Sequence, residues 1–384
     1  MTVRSAMTER ERRVLTLVAS DVAPIGGMER AAYELVDRLL RRGWRVTVIA
    51  RSCSIAPSAN LRFVRLASPS RPVSLALLCD LLLGSLALRR HRAGIVQTTN
   101  AILASRVDVI QAHFCECAFR ESGISRSRRR SLAYRINSWL ASWIALLLER
   151  WCYRPGRVQQ IACVSAGLMQ DTARCYPRVG TRLCSIPNGV ELERFAARPG
   201  QRARVRSELA VDSDQLVALF VGGDWHRKGL RHAVAAMAAA QGWTLMVVGD
   251  GDVGHFRDLA ARLGVEDRVR FAGRLADPAP CFLAADALVA PSYYEAFSLV
   301  ALEAAAAGLP LIVPKMSGTE ELVRDGVTGW FTARDGKAIG ARLSALRDDP
   351  ARRTAMSTAA RDSAAAYEWE RVVDRFEALY ASLA

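Results

Sequence analysis

The sequence predicts an α/β protein with two parallel β-sheet domains, and three observations support this fold class. Short apolar runs rich in β-branched residues alternate with segments of helical periodicity in both halves of the chain. The chain turns polar between Pro187 and Gly200, which marks a linker. Its 384 residues also exceed the size of one average core. We expect an N-terminal domain over 1–187, rejoined by 366–384, and a second domain over 188–365.

The first half supplies one set of strands. The run 14–20 leads into a turn with Gly26 and Gly27 and then into a helical pattern that reaches Arg42. These glycines would let a ligand approach the start of the helix closely, although a tight turn without a ligand explains them equally well. Further strands are predicted over 45–50, 94–97, 107–112, 161–165 and 183–187.

One histidine stands at a strand end. His113 directly follows the strand 107–112, and the carboxyl ends of strands are where open α/β sheets place ligands. A single histidine can also be purely structural. Its position makes His113 a candidate site residue.

The second half repeats the pattern and ends in a helix. Strands are predicted over 216–223, 245–248, 269–271 and 287–290, and one helix begins near Leu230. The last helix, around 367–383, carries Phe376, Leu379 and Tyr380 in register. This apolar face would allow the helix to return and pack on the first domain.

The stretch 291–310 combines two acids with a predicted helix. We expect this helix over 296–307, with Glu295 just before its first turn and Glu303 eight residues further on. The free N–H groups of a first turn favour anions. Amides for a diphosphate, one carboxylate for sugar hydroxyls and another for ribose hydroxyls would suit a nucleotide sugar. An ordinary amphipathic helix with a capping acid is the alternative.

Two further loops follow strands of the second half. Arg227 and Lys228 would neutralise a diphosphate and the charge on a departing nucleoside diphosphate, with a solvated basic turn as the alternative. Gly249 and Gly251 belong to a G-x-G-x-x-G motif, which in a dinucleotide site needs an acid about 20 residues on. The next strand ends without an acid. We therefore interpret this loop as a close approach to a nucleotide base or phosphate.

The positive charge is concentrated in the first half. Residues 1–190 carry 29 arginines against 12 acidic residues, whereas the rest of the chain carries 24 basic and 26 acidic residues. A general nucleic-acid binder does not show this division, so we expect no nucleic-acid partner. One basic domain fits an anionic partner such as a phospholipid surface or a phosphorylated acceptor.

Residues 125–151 are the candidate membrane contact. Arginines precede a helix that carries Leu140, Ile144 and Leu147 on one stripe, with Trp139 and Trp143 beside it. Such a helix could lie in an anionic membrane interface. A core helix with a solvated basic approach is the alternative, and it accounts better for the apolar stripe taken alone. The arginines are Arg126, Arg128, Arg129, Arg130 and Arg135.

Cysteine usage and the apolar segments indicate the cytoplasm. Nine cysteines are scattered, and the lone C-x-C of Cys115 and Cys117 indicates core or strand positions, so we expect reduced thiols and no metal site. The N-terminal residues read as charges before a first strand and not as a signal peptide. The apolar run 73–88 is short and contains Asp80, so no segment clearly spans a bilayer.

Taken in order, these motifs resemble those of the retaining GT-B glycosyltransferases of family 4. The resemblance covers nearly the whole chain and is most specific in its second half. The motifs are Gly26-Gly27-Met28-Glu29-Arg30, Ile186-Pro187-Asn188-Gly189-Val190-Glu191, Arg227-Lys228-Gly229, Val248-Gly249-Asp250-Gly251, Pro291-Ser292, and Glu295 with Glu303 in E-x7-E spacing.

The resemblance implies a fold and a set of roles. It implies two Rossmann-like domains facing across a cleft, with a nucleotide-sugar donor in the C-terminal domain and an acceptor at the N-terminal one. Glu295 would contact hydroxyls of the transferred sugar, Glu303 the ribose, and Arg227 and Lys228 the diphosphate. The other implied donor contacts are the amides of Phe297, Ser298, Leu299 and Val300, with Gly27 at the phosphates and His113 near the sugar.

The family also implies a chemistry. Its members need no divalent metal and no other cofactor, because protein cations take the role of the metal, and retention is attributed to front-face attack within an ion pair. Two departures from the family pattern stand out. Gly223 and Asp224 occupy the place of a frequent arginine, and Ala296 and Ser298 replace the glycines of E-G-F-G.

We therefore expect a cytoplasmic retaining glycosyltransferase, peripheral at the inner face of the membrane. Its donor would be a UDP-sugar, and its acceptor a saccharide or lipid-linked molecule of lipopolysaccharide, glycolipid or polysaccharide assembly. Two alternatives stay open. One is a nicotinamide-dependent oxidoreductase that uses the loop 249–254, and the other is a non-catalytic binder of sugar nucleotides or glycolipids on the same scaffold.

Overall fold

The computed structural model describes residues 13–123, 131–196 and 198–383, which fall into two compact units. The first contains the chain up to Gly189 and again from Trp369, and the second runs from Val190 to Glu368. The boundaries expected from the sequence, residues 187 and 366, lie close to these. Each unit is an α/β structure with a parallel sheet.

The first unit is built on strands that are largely buried on both faces, which is why they read as nearly continuous apolar runs. Its strands are β1 Val14–Val18, β2 Asp21–Val22, β3 Arg45–Ala50, β4 Ser52–Cys53, β5 Leu61–Arg65, β6 Ile95–Thr99, β7 Val107–Ala112, β8 Val158–Cys163 and β9 Leu183–Ser185. Seven of them form a parallel sheet in the order β5-β3-β1-β6-β7-β8-β9, and β2 pairs with β4.

Helices cover this sheet. They are α1 Met28–Arg41, α2 Val73–His91, α3 Glu116–Glu121, α4 Leu132–Cys152 and α5 Ala166–Cys175. The apolar residues of α1 recur at helical spacing, and Ala32, Leu35 and Leu39 are fully buried against the strands. No helix in the described part of the chain is both long and apolar enough to cross a membrane.

The second unit has a six-stranded sheet that is also parallel throughout. Its strands are β10 Leu216–Val221, β11 Trp243–Val248, β12 Val269–Gly273, β13 Ala287–Val289, β14 Leu311–Val313 and β15 Gly329–Phe331, in the order β12-β11-β10-β13-β14-β15. The helices are α6 Leu192–Phe195, α7 Gln201–Glu208, α8 Leu230–Ala239, α9 Val253–Arg262, α10 Ala279–Ala284, α11 Leu299–Ala306, α12 Gly336–Asp348 and α13 Pro350–Ala364.

The strand order in each unit reverses at its first strand. In the second unit the chain moves outward from β10 through β12 and then starts again on the other side with β13. Adjacent strands whose connections diverge in this way leave a crevice at their carboxyl ends, which is the usual ligand site of such sheets. The loops after β10 and β13 therefore meet where a ligand is expected, and the loops after β1 and β6 do so in the first unit.

The C-terminal helix α14, Trp369–Leu383, packs on the first unit, as the sequence predicted. Phe376 and Tyr380 are buried, and the Tyr380 hydroxyl donates to Gln97 Oε1 at 2.5 Å. On the outer side, Arg42 donates to Asp374 Oδ1 at 2.6 Å. Apolar burial along one face and ion pairs along its rim fix this helix to the first unit.

Candidate functional site

The helix of the 291–310 stretch begins later than predicted. It starts at Leu299 and not at residue 296, because Ser298 takes the capping position and its hydroxyl accepts a hydrogen bond from the Ala301 amide at 3.3 Å. The preceding residue, Phe297, is held against a neighbouring loop, since a Cβ on Gly318 would lie 2.4 Å from its Cα. Tertiary packing therefore keeps 295–297 out of the helix.

This start leaves two free donors. In the described part of the chain, the N–H groups of Leu299 and Val300 have no acceptor. Ser298 does not block them, because its side chain engages the next amide along, that of Ala301. The amino end of α11 can therefore still receive an anion through the first two amides of the helix.

A partly buried ion pair joins the loops after β10 and β13. Lys228 Nζ donates to Glu295 Oε1, and the two side chains are only 16% and 10% exposed. An ammonium carries three protons and a carboxylate four acceptor positions, so each group keeps bonding capacity for a ligand. The pair thus presents a cation and an anion side by side at the switch point of the second sheet.

The two loops are also joined through their backbones. Tyr293 N donates to Arg227 O at 2.9 Å, and the Arg227 guanidinium donates to Tyr294 O at 3.0 Å. Gly229 has a φ of 75°, and a Cβ there would lie 2.2 Å from the Pro291 carbonyl oxygen. The sequence prediction placed Arg227 on a diphosphate. In the structure, at least one N–H group of its guanidinium instead donates a hydrogen bond that joins the two loops.

Glu303 lies inside α11 and not at its edge. Its side chain is buried, and Glu295 precedes the same helix. Although burial lowers the pKa of Arg194, the hydrogen bond to Asp277 and the charge of Glu303 together raise it above its usual value. Arg194, on the short helix α6, is therefore an electrostatic neighbour of Glu303 that the sequence analysis did not identify.

The glycine loop after β11 has a structural explanation. A Cβ on Gly249 would lie 2.1 Å from the Gly222 carbonyl oxygen, and one on Gly251 would lie 2.3 Å from the Trp225 ring. The Trp225 ring is buried, and its Nε1 donates to the same Gly222 oxygen at 2.9 Å. The close approach predicted for these glycines is thus made to protein groups.

In the first unit, an asparagine that the sequence analysis missed links the predicted residue His113 to the start of α1. Asn100, at the end of β6, accepts a hydrogen bond from the His113 amide at 2.8 Å and contacts Met28 Sδ at 3.1 Å. Met28 begins α1, directly after Gly27. Asn100 has a φ of 61°, a conformation that asparagine tolerates better than most residues. An asparagine directly after a predicted strand is the sequence feature that could have identified Asn100.

His113 itself keeps a free ring nitrogen. Its Nε2 atom is buried and has no hydrogen-bond partner among the described residues. Burial lowers the pKa of His113 to about 4, so the ring is neutral at pH 7. Gly26, in the turn before α1, has a φ of 79°, and the three atoms nearest to a Cβ placed there would all belong to the side chain of Glu29. A buried polar atom without a partner is unusual, which favours a ligand contact at His113.

Comparisons with known proteins agree with this architecture. The family model described as glycosyl transferases group 1 matches residues 201–363, and the model described as glycosyltransferase family 4 matches residues 25–194. A D-inositol 3-phosphate glycosyltransferase of Catenulispora acidiphila is 34% identical over 72% of this chain and 72% of its own. A second one, from Geodermatophilus obscurus, is 37% identical over 53% of this chain, and the match spans only 48% of that relative.

Solved structures show the same fold. WaaG, a glycosyltransferase involved in lipopolysaccharide biosynthesis, superimposes with a TM-score of 0.78 at 22% identity, covering 94% of this chain and 98% of its own. Anabaena Alr3699/HepE in complex with UDP-glucose gives 0.71 at 18% identity, covering 96% and 99%. With both halves of the chain matched in order, the protein belongs to the group 1 glycosyltransferases and has the GT-B fold.

Proposed function

We propose that this protein transfers a glycosyl group from a UDP-sugar to a saccharide or lipid-linked acceptor, with retention at the anomeric carbon and without a divalent metal. The observation that carries the proposal is the Lys228–Glu295 ion pair, which joins the two loops at the switch point, and the loop of Glu295 leads into α11. A cation, a carboxylate and free N–H groups are what a sugar diphosphate requires. The relatives' names and the UDP-glucose bound by the Anabaena protein support it.

Each polar residue then has its own role. Lys228 offsets the charge that builds on the departing UDP, while Glu295 accepts hydrogen bonds from sugar hydroxyls and holds the lysine in place. Glu303 accepts from the ribose hydroxyls, and neutral His113 exchanges one hydrogen bond with the transferred sugar. The acceptor oxygen bonds to the anomeric carbon as the bond to the phosphate breaks, and the hydroxyl proton passes to the phosphate oxygen. The protein cations take the part that a metal plays elsewhere.

A donor screen tests the proposal. UDP-, GDP- and ADP-sugars are added separately, and the thermal midpoint is measured, because a ligand that binds the native state raises it by mass action. We expect UDP-sugars to stabilise the wild type and Lys228→Ala to lose this effect and most of the turnover. Lys337→Ala, which removes an exposed lysine of α12, is the matched control. Equal stabilisation of both variants would contradict the role of Lys228.

Retention and metal independence have direct readouts. The anomeric configuration of the product, measured by NMR, should equal that of the donor, and an inverted product would refute retention. Turnover should be unchanged in a chelator, and a loss that Mg²⁺ restores would refute metal independence.

The oxidoreductase alternative has lost its main support, since Gly249 and Gly251 pack against Gly222 and Trp225.

We further propose that α2 and α4 place this enzyme on an anionic membrane. The two helices lie side by side, and the Ser74 hydroxyl of α2 donates to Asn137 of α4 at 2.8 Å. Both expose apolar side chains at helical spacing, which supports a membrane contact over a core position for Leu140 and Leu147 of α4. The exposed residues include Leu75, Leu78, Leu82, Leu86, Ile136, Trp139, Leu140, Trp143 and Leu147.

Charge complementarity selects the occupant of this apolar surface. Arg135 is exposed on α4, the Arg120 guanidinium lies 4.2 Å from the centre of the Trp143 ring, and Arg157 lies 4.1 Å from that of Trp151. Apolar residues and tryptophans among arginines suit the headgroup region of an anionic bilayer. The other arginines of the predicted cluster, Arg126, Arg128, Arg129 and Arg130, lie outside the described residues.

Sedimentation with vesicles tests this attachment. We expect the protein to pellet with phosphatidylglycerol vesicles at low salt and less with phosphatidylcholine alone. Trp139→Glu combined with Leu147→Glu should abolish pelleting, since both side chains are 59% exposed. Leu263→Glu changes an exposed apolar residue of the second unit and should bind as the wild type does. Recovery in the supernatant with and without anionic lipid would refute the proposal.

A further inference from the structure

Two cysteines and a glutamate from two helices converge in the first unit. The sequence analysis expected Cys115 and Cys117 in the core or in a strand. Cys115 is buried in the core as expected, at the N-cap of α3, whereas Cys117 is only partly buried and lies in the first turn of this helix. Glu121 ends the same helix, one turn further on, and Cys175 ends α5. The fold brings Cys175 to this face of α3, which no local spacing in the sequence reveals.

The three ligand atoms have the spacing of a coordination sphere. Glu121 Oε1 lies 3.7 Å from Cys117 Sγ and 4.0 Å from Cys175 Sγ, and all three atoms lie within 4.8 Å of one another. In a tetrahedral zinc site, Zn–S bonds of about 2.3 Å and Zn–O bonds of about 2.0 Å place ligand atoms roughly 3.5–3.8 Å apart. A small contraction would bring these three atoms to bonding distance of one ion.

A second contact orients the carboxylate. Arg174 donates to Glu121 Oε2, and its other nitrogen donates to Asp171 at 2.9 Å. Oε2 is thus held from outside, and Oε1 is the oxygen that faces the thiols. Metal-binding carboxylates are commonly oriented by such an outer hydrogen bond. The buried thiol of Cys115 adds a third sulfur in hydrogen-bonding contact with Cys175.

We propose that Cys117, Glu121 and Cys175 bind one Zn²⁺ ion that ties α3 to α5. Two sulfurs and one carboxylate oxygen suit this borderline-soft, redox-inert cation and supply three of its four ligands. The site is structural and does not depend on the proposed transferase activity. It lies just after the loop that carries His113, so the ion would also restrain the backbone between β7 and α3.

Metal binding has a proton signature here. Zinc binds the thiolate form of cysteine, so an ion held by Cys117 and Cys175 displaces one proton from each thiol, and its affinity therefore rises with pH.

A Zn²⁺ titration of the full chain tests the site. Protein stripped with a chelator under reducing conditions is titrated against a chromogenic zinc indicator, with proton release followed in weak buffer and Co²⁺ absorption as a second probe. We expect one equivalent of Zn²⁺, about two protons released and a thiolate–Co²⁺ charge-transfer band. Cys117→Ser, Cys175→Ser and Glu121→Gln should each weaken binding at least tenfold, whereas Cys79→Ser, which changes a partly exposed thiol of α2, should not.

Two results would overturn the proposal. One is the absence of a tight site in reduced wild-type protein, including the case in which Cys117 and Cys175 are isolated as a disulfide and bind no zinc after reduction. The other is an affinity in Cys117→Ser and Cys175→Ser equal to that of the wild type. Far-ultraviolet circular dichroism of the metal-free variants, unchanged from the metal-free wild type, shows that a loss of binding is local.

Discussion

Replacing Gly229 by alanine should separate the two loops that carry the proposed donor site. At a φ of 75°, a Cβ would stand 2.2 Å from the Pro291 carbonyl oxygen, whereas real contacts of this kind are not closer than 3.0 Å. The backbones must therefore move apart by about 0.8 Å, and such overpacking costs roughly 1–3 kcal/mol. The left-handed conformation of an alanine adds about 1–2 kcal/mol.

A matched control separates these two contributions. Gly264, between α9 and β12, has a φ of 63°, and no atom lies within 4 Å of the position that a Cβ would take there, so Gly264→Ala carries only the conformational cost. At about 2–4 °C per kcal/mol, Gly229→Ala should lower the melting temperature by roughly 10 °C and Gly264→Ala by roughly 4 °C.

The functional readout distinguishes a local effect from a general one. UDP-sugar affinity, measured by calorimetry below both melting temperatures, should fall at least tenfold in Gly229→Ala, because the displaced loop no longer sets Lys228 beside Glu295. It should stay unchanged in Gly264→Ala. Equal losses of melting temperature in the two variants, together with unchanged donor affinity, would refute the role given to the contact with Pro291.

Three further perturbations probe other parts of the molecule. Glu303→Gln should weaken donor binding more than it lowers kcat, as seen in a KM against kcat comparison, and an unchanged KM would contradict its contact with ribose. The folded-state pKa of His113, lowered from 6.5 to about 4, means that its contribution to stability is fully present above pH 6.5 and is lost as pH falls towards 4. Its size is about 3 kcal/mol, and His113→Asn should flatten the pH dependence of unfolding in this window, whereas an unflattened curve would contradict burial of the neutral ring. Tyr380→Phe removes the bond to Gln97 and should cost about 1 kcal/mol in denaturant unfolding of the first unit, and no loss would show that this bond does not fasten α14.

Most of the fold followed from the sequence because central parallel strands are buried on both faces. The strands 45–50 and 107–112 match the observed bounds of β3 and β7. The edge strand β5 escaped prediction because solvent tolerates polar residues at the edge of a sheet, and β5 is half-exposed and contains two arginines. The strands β14 and β15 have three residues each, too few for a period, and only pairing with their neighbours defines them.

The sequence was sufficient to identify the loops that form the candidate site, but it did not reveal the conformation of their backbones. The sequence marks the loops after β10 and β13, and the topology brings them together. The sequence does not show that Phe297 is held against Gly318. Without this contact, the pattern of residues 295–297 predicts a continuation of the helix. A glycine motif likewise reads the same whether it faces a phosphate or, as at Gly251, a tryptophan ring.

The solvent exposure of the apolar side chains was the other property that could not be predicted from their periodicity. A stripe of leucine and tryptophan on α4 has the same spacing whether it faces a core or the solvent. In the structure Trp139 and Leu147 are both 59% exposed. The tertiary packing of α4 beside α2 determines this exposure, and the spacing of the residues does not. The meeting of Cys117 with Cys175 is a tertiary contact of the same kind.

A crystal structure of the protein with a bound UDP-sugar tests the central claim most directly. We predict that phosphate oxygens lie within hydrogen-bonding distance of Lys228 Nζ and of the Leu299 and Val300 amides, with the sugar hydroxyls on Glu295. A diphosphate bound elsewhere, with the Lys228–Glu295 pair out of contact with the donor, would contradict the account.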